Sequence, residues 1–341
     1  MKRVVKILCG VVVVVSLLFA ALLITEWRPK DVERRCFDVG AVNLPDTLTI
    51  VTWNIGYAGL GDDMDFFYDG GTKTRTSEQR ANENLDAIIA QLRKFDYADF
   101  ILLQEVDFDS HRSYHVNQQE RICEALVDYP YYAVALNYSS PFVPVPISEP
   151  MGGVKSGVMT LSKYQIFESV RWQYPTIPDL PNRLFDLKRC MLAVGIKAQN
   201  GGVLWVNNTH NTAFDTGGMR ECEIQYIGNI LQGQKSVITA GDWNSTPPGY
   251  TPSKGAMENE FFTPLPLERG NFPDGFSAHY GENSETVRFL DCPYTTWRST
   301  TSVIDFAVLS TSWRILECKT LDLGFKNSDH NPVVINVIAN D

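Results

Sequence analysis

Closely spaced cysteine pairs, low-complexity tracts, internal repeats and a surplus of basic residues are all missing from this chain of 341 residues. Each absence narrows the field. Cys36, Cys123, Cys190, Cys222, Cys292 and Cys318 are scattered, and Cys9 stands alone near the N-terminus, so the spacing of a zinc site or a redox motif is not there. Disulfides between some of them and buried free thiols both remain open. Thirty Lys and Arg against forty Asp and Glu leave a net charge of −10, which argues against a broad, cofactor-free nucleic-acid surface. A nuclease is still allowed, because a divalent cation in an acidic site neutralises phosphate locally. With no biased tract, 44% apolar and 21% charged residues indicate a globular chain with an ample core.

The N-terminus, MKRVVKILCGVVVVVSLLFAALLITEWRP, places Lys2, Arg3 and Lys6 ahead of an apolar run from Ile7 to Ile24. That run exceeds a usual signal-peptide core and approaches the length that spans a bilayer. No small-x-small cleavage site follows it, and Trp27 with Arg28 suits the far interface. We read residues 1–27 as an uncleaved signal anchor, with a cleaved signal as the alternative. The positive flank then stays in the cytoplasm and the remainder is exported to the periplasmic or extracellular side. KILCG lacks the small residues expected before a lipidated cysteine. Residues 28–46, holding Pro29 and Pro45 and no regular period, read as a tether, and 47–341 as one domain.

Within that domain TLTIVTWN (47–54) has the pattern of a buried strand ending in a polar residue. Leu85, Ile88, Ile89 and Leu92 recur at helical spacing between Thr76 and Phe95, with Thr76 and Gln79 as a capping box. Further strand-like runs are ADFILLQEV, YYAVALNY, VKSGVMTLS, CMLAVGIKA, GVLWVNNTH, SVITAGDWN, SVIDFAVLS and NPVVINVIA, and a second helix is expected over Met219–Leu231. Many strands with few helices predict an α+β domain in which two sheets pack together with helices outside. Pro- and Gly-rich stretches at 139–153 and 246–286 read as long loops, which in a compact domain usually wall or cover a site.

Strand-like runs end, or nearly end, in residues that hold a metal or a proton, Asn54, Glu105, His210 and Asp242 with Asn244, while Asp305 stands inside VIDFAV and Asp329 with His330 just before PVVINV. One such residue is ordinarily a turn or cap. A shared position in so many runs predicts a polar cluster at one rim of the sandwich. WNIG, LLQEVD, NNTHN, GDWN, VIDF and SDH, in this order, resemble the endonuclease/exonuclease/phosphatase superfamily over about residues 47–341. The resemblance implies a four-layer αββα sandwich with its site at one end of the sheets, a divalent cation (Mg2+ most often, Mn2+ or Ca2+ as alternatives) and phosphoester hydrolysis. It implies that Glu105, Asn54 and Asp329 serve the metal. It also implies His330 as general base with Asp305 on its other ring nitrogen, Asp242 and Asn244 positioning water and phosphate, and His210 contacting the phosphate or leaving oxygen. A phosphodiester repels hydroxide, so a hard cation held by carboxylate and amide oxygens is the chemistry such a bond needs.

Arg112, shortly after Glu105, is a candidate phosphate contact. Lys155, Ser156, Arg183, Lys188 and Arg298 are vaguer ones. We expect His111, His115 and His279 on the surface and the acidic run GDDMDFF (61–67) as a solvated turn. The anchor and the acidic balance favour a lipid head group or another small phosphoester, met by a monomer at a membrane. An exported nuclease acting on DNA is the alternative. An anchored module without catalysis is disfavoured, since no core acid, amide or imidazole is missing.

Overall fold

Which residues each strand must bury decides how the sheets stack. The computed structural model describes residues 2–215, 217–252 and 262–340. One sheet has six strands in the spatial order Trp313–Thr320, Val333–Ala339, Thr47–Asn54, Phe100–Asp107, Gly152–Ser162, Tyr131–Val143. The other has seven, in the order Val32–Cys36, Glu168–Gln173, Cys190–Lys197, Val203–His210, Ser236–Asp242, Asp305–Ser310, Phe276–His279. Each sheet is mixed. Thr47–Asn54 runs parallel to Phe100–Asp107, and Val203–His210 runs parallel to Ser236–Asp242. Parallel neighbours need a crossover, and the helices Glu78–Leu92 and Met219–Gln232 supply the two.

Leu48, Ile50, Phe100 and Leu102 face Leu192, Val194, Val206 and Ile238 between the sheets. Val51, Trp53, Ile101 and Leu103 point the other way, under Leu85, Ile88 and Leu92 of the first helix. Val237, Phe306 and Val308 are covered by Ile224, Ile227 and Leu231 of the other. The layers are therefore helix, sheet, sheet, helix, as expected. Burial on both faces is why FILL, residues 100–103, reads as an unbroken apolar run instead of an alternating one.

Several local expectations need correction. The first helix is capped by Ser77, whose hydroxyl accepts from the Arg80 N–H, and not by a Thr76/Gln79 box. Val32–Cys36 lies in the expected tether yet pairs with Glu168–Gln173 as an edge strand, because backbone pairing at an edge asks little of side-chain pattern. Glu168–Gln173, Trp313–Thr320 and the short helix Gln118–Ala125 carried too many polar residues to stand out. Residues 139–143 continue a strand, while the loop expected at 246–286 contains Phe276–His279 of the larger sheet; its residues 253–261 lie outside those described.

The 61–67 run is not a solvated turn. Asp62 and Asp63 pair with Arg80, Met64 is buried, and Asp65 accepts from Thr72. His111 and His279 are half-buried, and His115 alone of the three is exposed. All seven cysteines are free thiols. The N-terminal helix, Lys2–Thr25, is long and apolar enough to cross a membrane by length and composition.

Candidate active site

Two register relations gather the polar residues. His210, the last residue of its strand, lies opposite Asp242, the last of the next, and Asp242 lies opposite Asp305, the first residue of its antiparallel partner. Two strand ends meeting one strand start thus place His210, Asp242 and Asp305 side by side. In the other sheet Asn54 ends a strand beside Gln104, and a bulge between Leu103 and Val106 puts Glu105 in the left-handed backbone region at φ 53°. Such a conformation is costly for a residue with a Cβ, and bulges re-aim side chains. Here it turns Glu105 towards the rim. Gly241, at φ 150°, allows close approach of the neighbouring strand: a Cβ there would lie 2.1 Å from the Thr209 carbonyl oxygen.

His330 Nδ1 is 2.8 Å from Asp305 Oδ2, both residues being buried. The imidazole is fixed from behind, since Trp53 Nε1 donates to the His330 carbonyl at 2.9 Å and the His330 N–H donates to Ser328 Oγ at 3.2 Å. Its Nε2 faces Asp242 Oδ2 at 3.7 Å and Asp329 Oδ2 at 3.9 Å. Burial works against the charged imidazole, but the Asp305, Asp329 and Asp242 carboxylates outweigh it and push the pKa up to about 10. Asp242 and Asp329 are each pushed up to about 6, chiefly by burial. Nearby Asp305 adds to this at Asp242, and Glu105 at Asp329.

Asn54 Nδ2 reaches Asp242 Oδ2 at 3.0 Å and Glu105 Oε1 at 3.4 Å, and its Oδ1 accepts from the Gly56 N–H at 3.0 Å. Expected among the metal donors, Asn54 instead shows its nitrogen to the acids, because crowded carboxylates take whatever donor is near. His210 Nε2 lies 3.5 Å from Asp242 Oδ2 and 3.8 Å from Glu105 Oε1. Burial, with Arg189, His330 and Arg112 nearby, holds its pKa well below the usual histidine range. Asn244 is pinned by its N–H to Asp242 Oδ1 and by its amide to the Asn211 carbonyl, each at 2.9 Å. Asn211 in turn donates to buried Glu223 at 3.2 Å, so this residue braces the His210 loop.

These groups line one cleft of about 370 Å³, which contains Glu105 and His330 together with His210, Asp242, Asn244 and Asp329. Asn54 and Asp305 sit directly behind it through the contacts above. Arg112 reaches the wall but is not a free fork: Nε and Nη2 bind Asp107 at 3.1 and 2.9 Å, and the guanidinium lies 3.7 Å from the Tyr57 ring centre. The Lys188 ammonium is spent on the Arg183 carbonyl, and Arg183 pairs with Glu26. Ser156 lines the cleft but donates to the Val106 carbonyl. Lys155 and Arg298 are exposed.

Arg189 was overlooked beside Lys188. It lines the cleft, and its buried Nη1 has no hydrogen-bond partner among the described residues. Tyr57, Asn137 and Asp69, whose carboxyl is pushed up to about 7 by burial and by Asp329 and Glu105, were also missed. Proximity to a recognised motif was the only available signal for Tyr57, three residues after Asn54. For the others there was none.

The donor chemistry suits a hard divalent cation. Glu105 and Asp329 offer carboxylate oxygens into the cleft, buried Asp329 and Asp242 are pushed towards protonation without a counter-charge, and Asp305 Oδ1 is buried with no partner among the described residues. A second grouping, Asp242, Asp305 and His330, has ligand atoms within 4.8 Å of one another.

Residues 51–330 match the model of the Endonuclease/Exonuclease/phosphatase family. No curated protein matches the chain. Among solved structures, the endonuclease/exonuclease/phosphatase from Beutenbergia cavernae DSM 12333 is 17% identical, with a TM-score of 0.60 over 86% of this chain and 72% of that one. The human Nocturnin catalytic domain with a bound sulfate anion is 20% identical, with a TM-score of 0.51 over 88% and 97%. ANGEL2, a 2',3'-cyclic phosphatase, in complex with adenosine-2',3'-vanadate is 14% identical, with a TM-score of 0.53 over 92% and 99%. At these identities the structural likenesses speak to the fold.

Proposed function

The chain belongs to the endonuclease/exonuclease/phosphatase family, whose members are metal-dependent phosphoester hydrolases, and within it we propose a membrane-anchored phosphodiesterase or phosphatase acting on a lipid head group or another small phosphoester. The observation that carries the proposal is the convergence of Glu105, Asp329 and Asp242 on the buried Asp305–His330 pair in one cleft. Residues 1–27 would serve as the anchor, with the catalytic domain outside the membrane.

Glu105 and Asp329 would hold the cation, Mg2+ being the first choice for an all-oxygen set, with Asn54 orienting Glu105 and Asp242. Once bound, the cation supplies charge neutralisation on the phosphoryl oxygens and a more acidic water. With a bound cation offsetting the Asp329 and Asp242 charges that otherwise hold the imidazole protonated, Asp305 keeps one proton on His330 Nδ1 and leaves Nε2 as the accepting atom. His330 Nε2 takes a proton from attacking water held beside Asp242 and Asn244. His210, kept neutral, donates a hydrogen bond to the phosphate. Arg189, with its unpaired Nη1, binds a phosphoryl oxygen, and Arg112 adds positive potential from a fixed place in the wall. If the cation sat instead on Asp242, Asp305 and His330, the imidazole lone pair needed for the base would be consumed, so His330→Ala separates the two placements: it preserves cation affinity in the first and destroys it in the second.

Turnover of bis-(p-nitrophenyl) phosphate with Mg2+, Mn2+ or Ca2+ tests the reaction; a chelator and His330→Ala are both expected to abolish it. A panel of plasmid DNA, RNA, sphingomyelin, phosphatidylinositol phosphates and sugar phosphates tests the substrate. Consumption of DNA alone, with steep salt dependence, would reject the lipid or small-phosphoester preference.

A further inference from the structure

The inner end of the cleft is acidic, yet its outer walls are apolar. Phe66, Tyr68, Phe185 and Leu187 pack on Tyr138, Val143 and Met151, and this apolar cluster lines the way in. Apolar side chains are out in the open here: Val145, 43% exposed, and Phe214, 44%, line the cleft, and Phe142, 48%, and Ile147, 91%, flank the cleft-lining Val143 and Val145 in the chain. Single exposed apolar residues are ordinary, but a group of them around one opening is not. Tyr68 ties the mouth together by donating to the Val145 carbonyl at 2.9 Å.

A separate observation says what covers this rim. The foot of the apolar N-terminal helix is fastened to the same wall. Glu26, its side chain only 2% exposed, pairs with Arg183 at 2.8 Å. Trp27 lies under Arg171 at 5.3 Å, and the Gln173 N–H donates to the Asp31 carbonyl at 2.9 Å. Arg183 belongs to the segment Asn182–Leu187, of which Asn182, Phe185 and Leu187 line the cleft. One turn of chain thus joins the helix foot to the cleft wall, so a helix crossing a bilayer holds the opening near that bilayer.

We propose that the mouth of the cleft is a membrane-contact surface, and that the enzyme takes its phosphoester from an amphiphile in the lipid layer, with the apolar part along the aromatic walls and the phosphoryl group at the acids. This rests on the phosphoesterase reading above and names its substrate class.

The test uses the full chain reconstituted in phosphatidylcholine vesicles. Two substrates are compared, soluble bis-(p-nitrophenyl) phosphate and vesicle-held hexadecyl p-nitrophenyl phosphate, for wild type and for the double variant Phe142→Ser/Ile147→Ser. Both substituted residues are exposed and outside the cleft. The variant is expected to keep soluble turnover within about twofold while losing about tenfold on the vesicle-held ester, the scale expected when two side chains stop partitioning into lipid. Equal rates for the two proteins on the vesicle-held ester, or equal losses on both substrates, would overturn the proposal. If neither substrate is turned over by wild type, the phosphoesterase reading fails, and amide hydrogen exchange over residues 142–151 then decides the surface by itself. Stronger protection in wild-type vesicles than in variant vesicles supports membrane contact; identical exchange rejects it.

Discussion

Replacing Asp305 by Asn changes one oxygen into an amide nitrogen at the most informative contact in the protein. Asp305 Oδ2 lies 2.8 Å from His330 Nδ1, the Asp305 N–H is held by Thr286 Oγ1 at 3.1 Å, and both side chains are buried, so backbone and shape should survive. The Asn oxygen can still accept from Nδ1, which limits the cost to stability to about 1–3 kcal/mol, the size of one impaired buried hydrogen bond. Chemistry should suffer far more. The amide can equally turn its nitrogen to the ring, favouring the tautomer with the proton on Nε2, and it no longer supports the imidazolium that forms when water is deprotonated. Where an acid orients a catalytic imidazole, loss of the charge costs roughly 100- to 10,000-fold in kcat, and we expect a fall in that range with KM little changed. Removing Asp305 also takes away the largest of the three carboxylate effects that push His330 up to about 10, so in the metal-free protein the His330 ring resonances should titrate at lower pH than in wild type. Steady-state kinetics with bis-(p-nitrophenyl) phosphate and NMR titration of the ring measure the two effects. An Asp305→Asn enzyme with kcat within threefold of wild type, or an unmoved His330 titration, would show that the pair does not do the work assigned to it.

Glu105→Gly should abolish metal-dependent turnover while making the metal-free protein more stable by roughly 1 kcal/mol, because the left-handed backbone at φ 53° is strained for Glu and free for Gly; urea denaturation with a loss of stability would contradict this. Asp329 has a folded pKa of about 6 against an ordinary value of 3.8, so its contribution to stability is fully present below pH 3.8 and lost as pH rises through 6. Asp329→Asn should therefore raise the melting temperature of the metal-free protein at pH 7 and flatten its decline between pH 4 and 6, and an unchanged pH profile counts against the assignment. Arg189→Met should raise KM by about tenfold, the loss of one charge-assisted hydrogen bond to phosphate, with a smaller change in kcat; unaltered kinetics would remove Arg189 from the site. Gly241→Ala forces a Cβ to within 2.1 Å of the Thr209 oxygen and should cost at least about 3 kcal/mol, so a denaturation midpoint close to wild type would mean the two strands separate more easily than their packing suggests.

Strands buried on both faces and helices with regular apolar spacing were legible because burial leaves a periodic record in the residues themselves. Glu78–Leu92 falls where its Leu and Ile spacing placed a helix, and Met219–Gln232 within one residue of the helix expected over Met219–Leu231. Edge strands such as Val32–Cys36 were not, since half their surroundings are solvent and their pairing is through backbone atoms that every residue shares. Asn54, Glu105, His210, Asp242, Asn244, Asp305, Asp329 and His330 were all recognisable because each sits in or beside a strand, near one of its ends, within a short ordered motif. Their roles were less so. Asn54 faces the acids with nitrogen, Arg112 is occupied by Asp107, and the unpaired guanidinium nitrogen in the cleft belongs to Arg189, which no motif marked.

By itself the sequence determined the alternation of buried strands and covering helices, the apolar N-terminal helix, and the inventory of acids, amides and imidazoles, all of which depend on residue type and local spacing. Only the tertiary structure decided which of these touch. Antiparallel and parallel registers bring His210, Asp242 and Asp305 into one row, a bulge turns Glu105 inward, and an ion pair from Glu26 to Arg183 sets the helix foot against the cleft wall. Those contacts join residues as many as 157 positions apart along the chain for the ion pair alone. No local pattern encodes such distances; strand register and side-chain packing do.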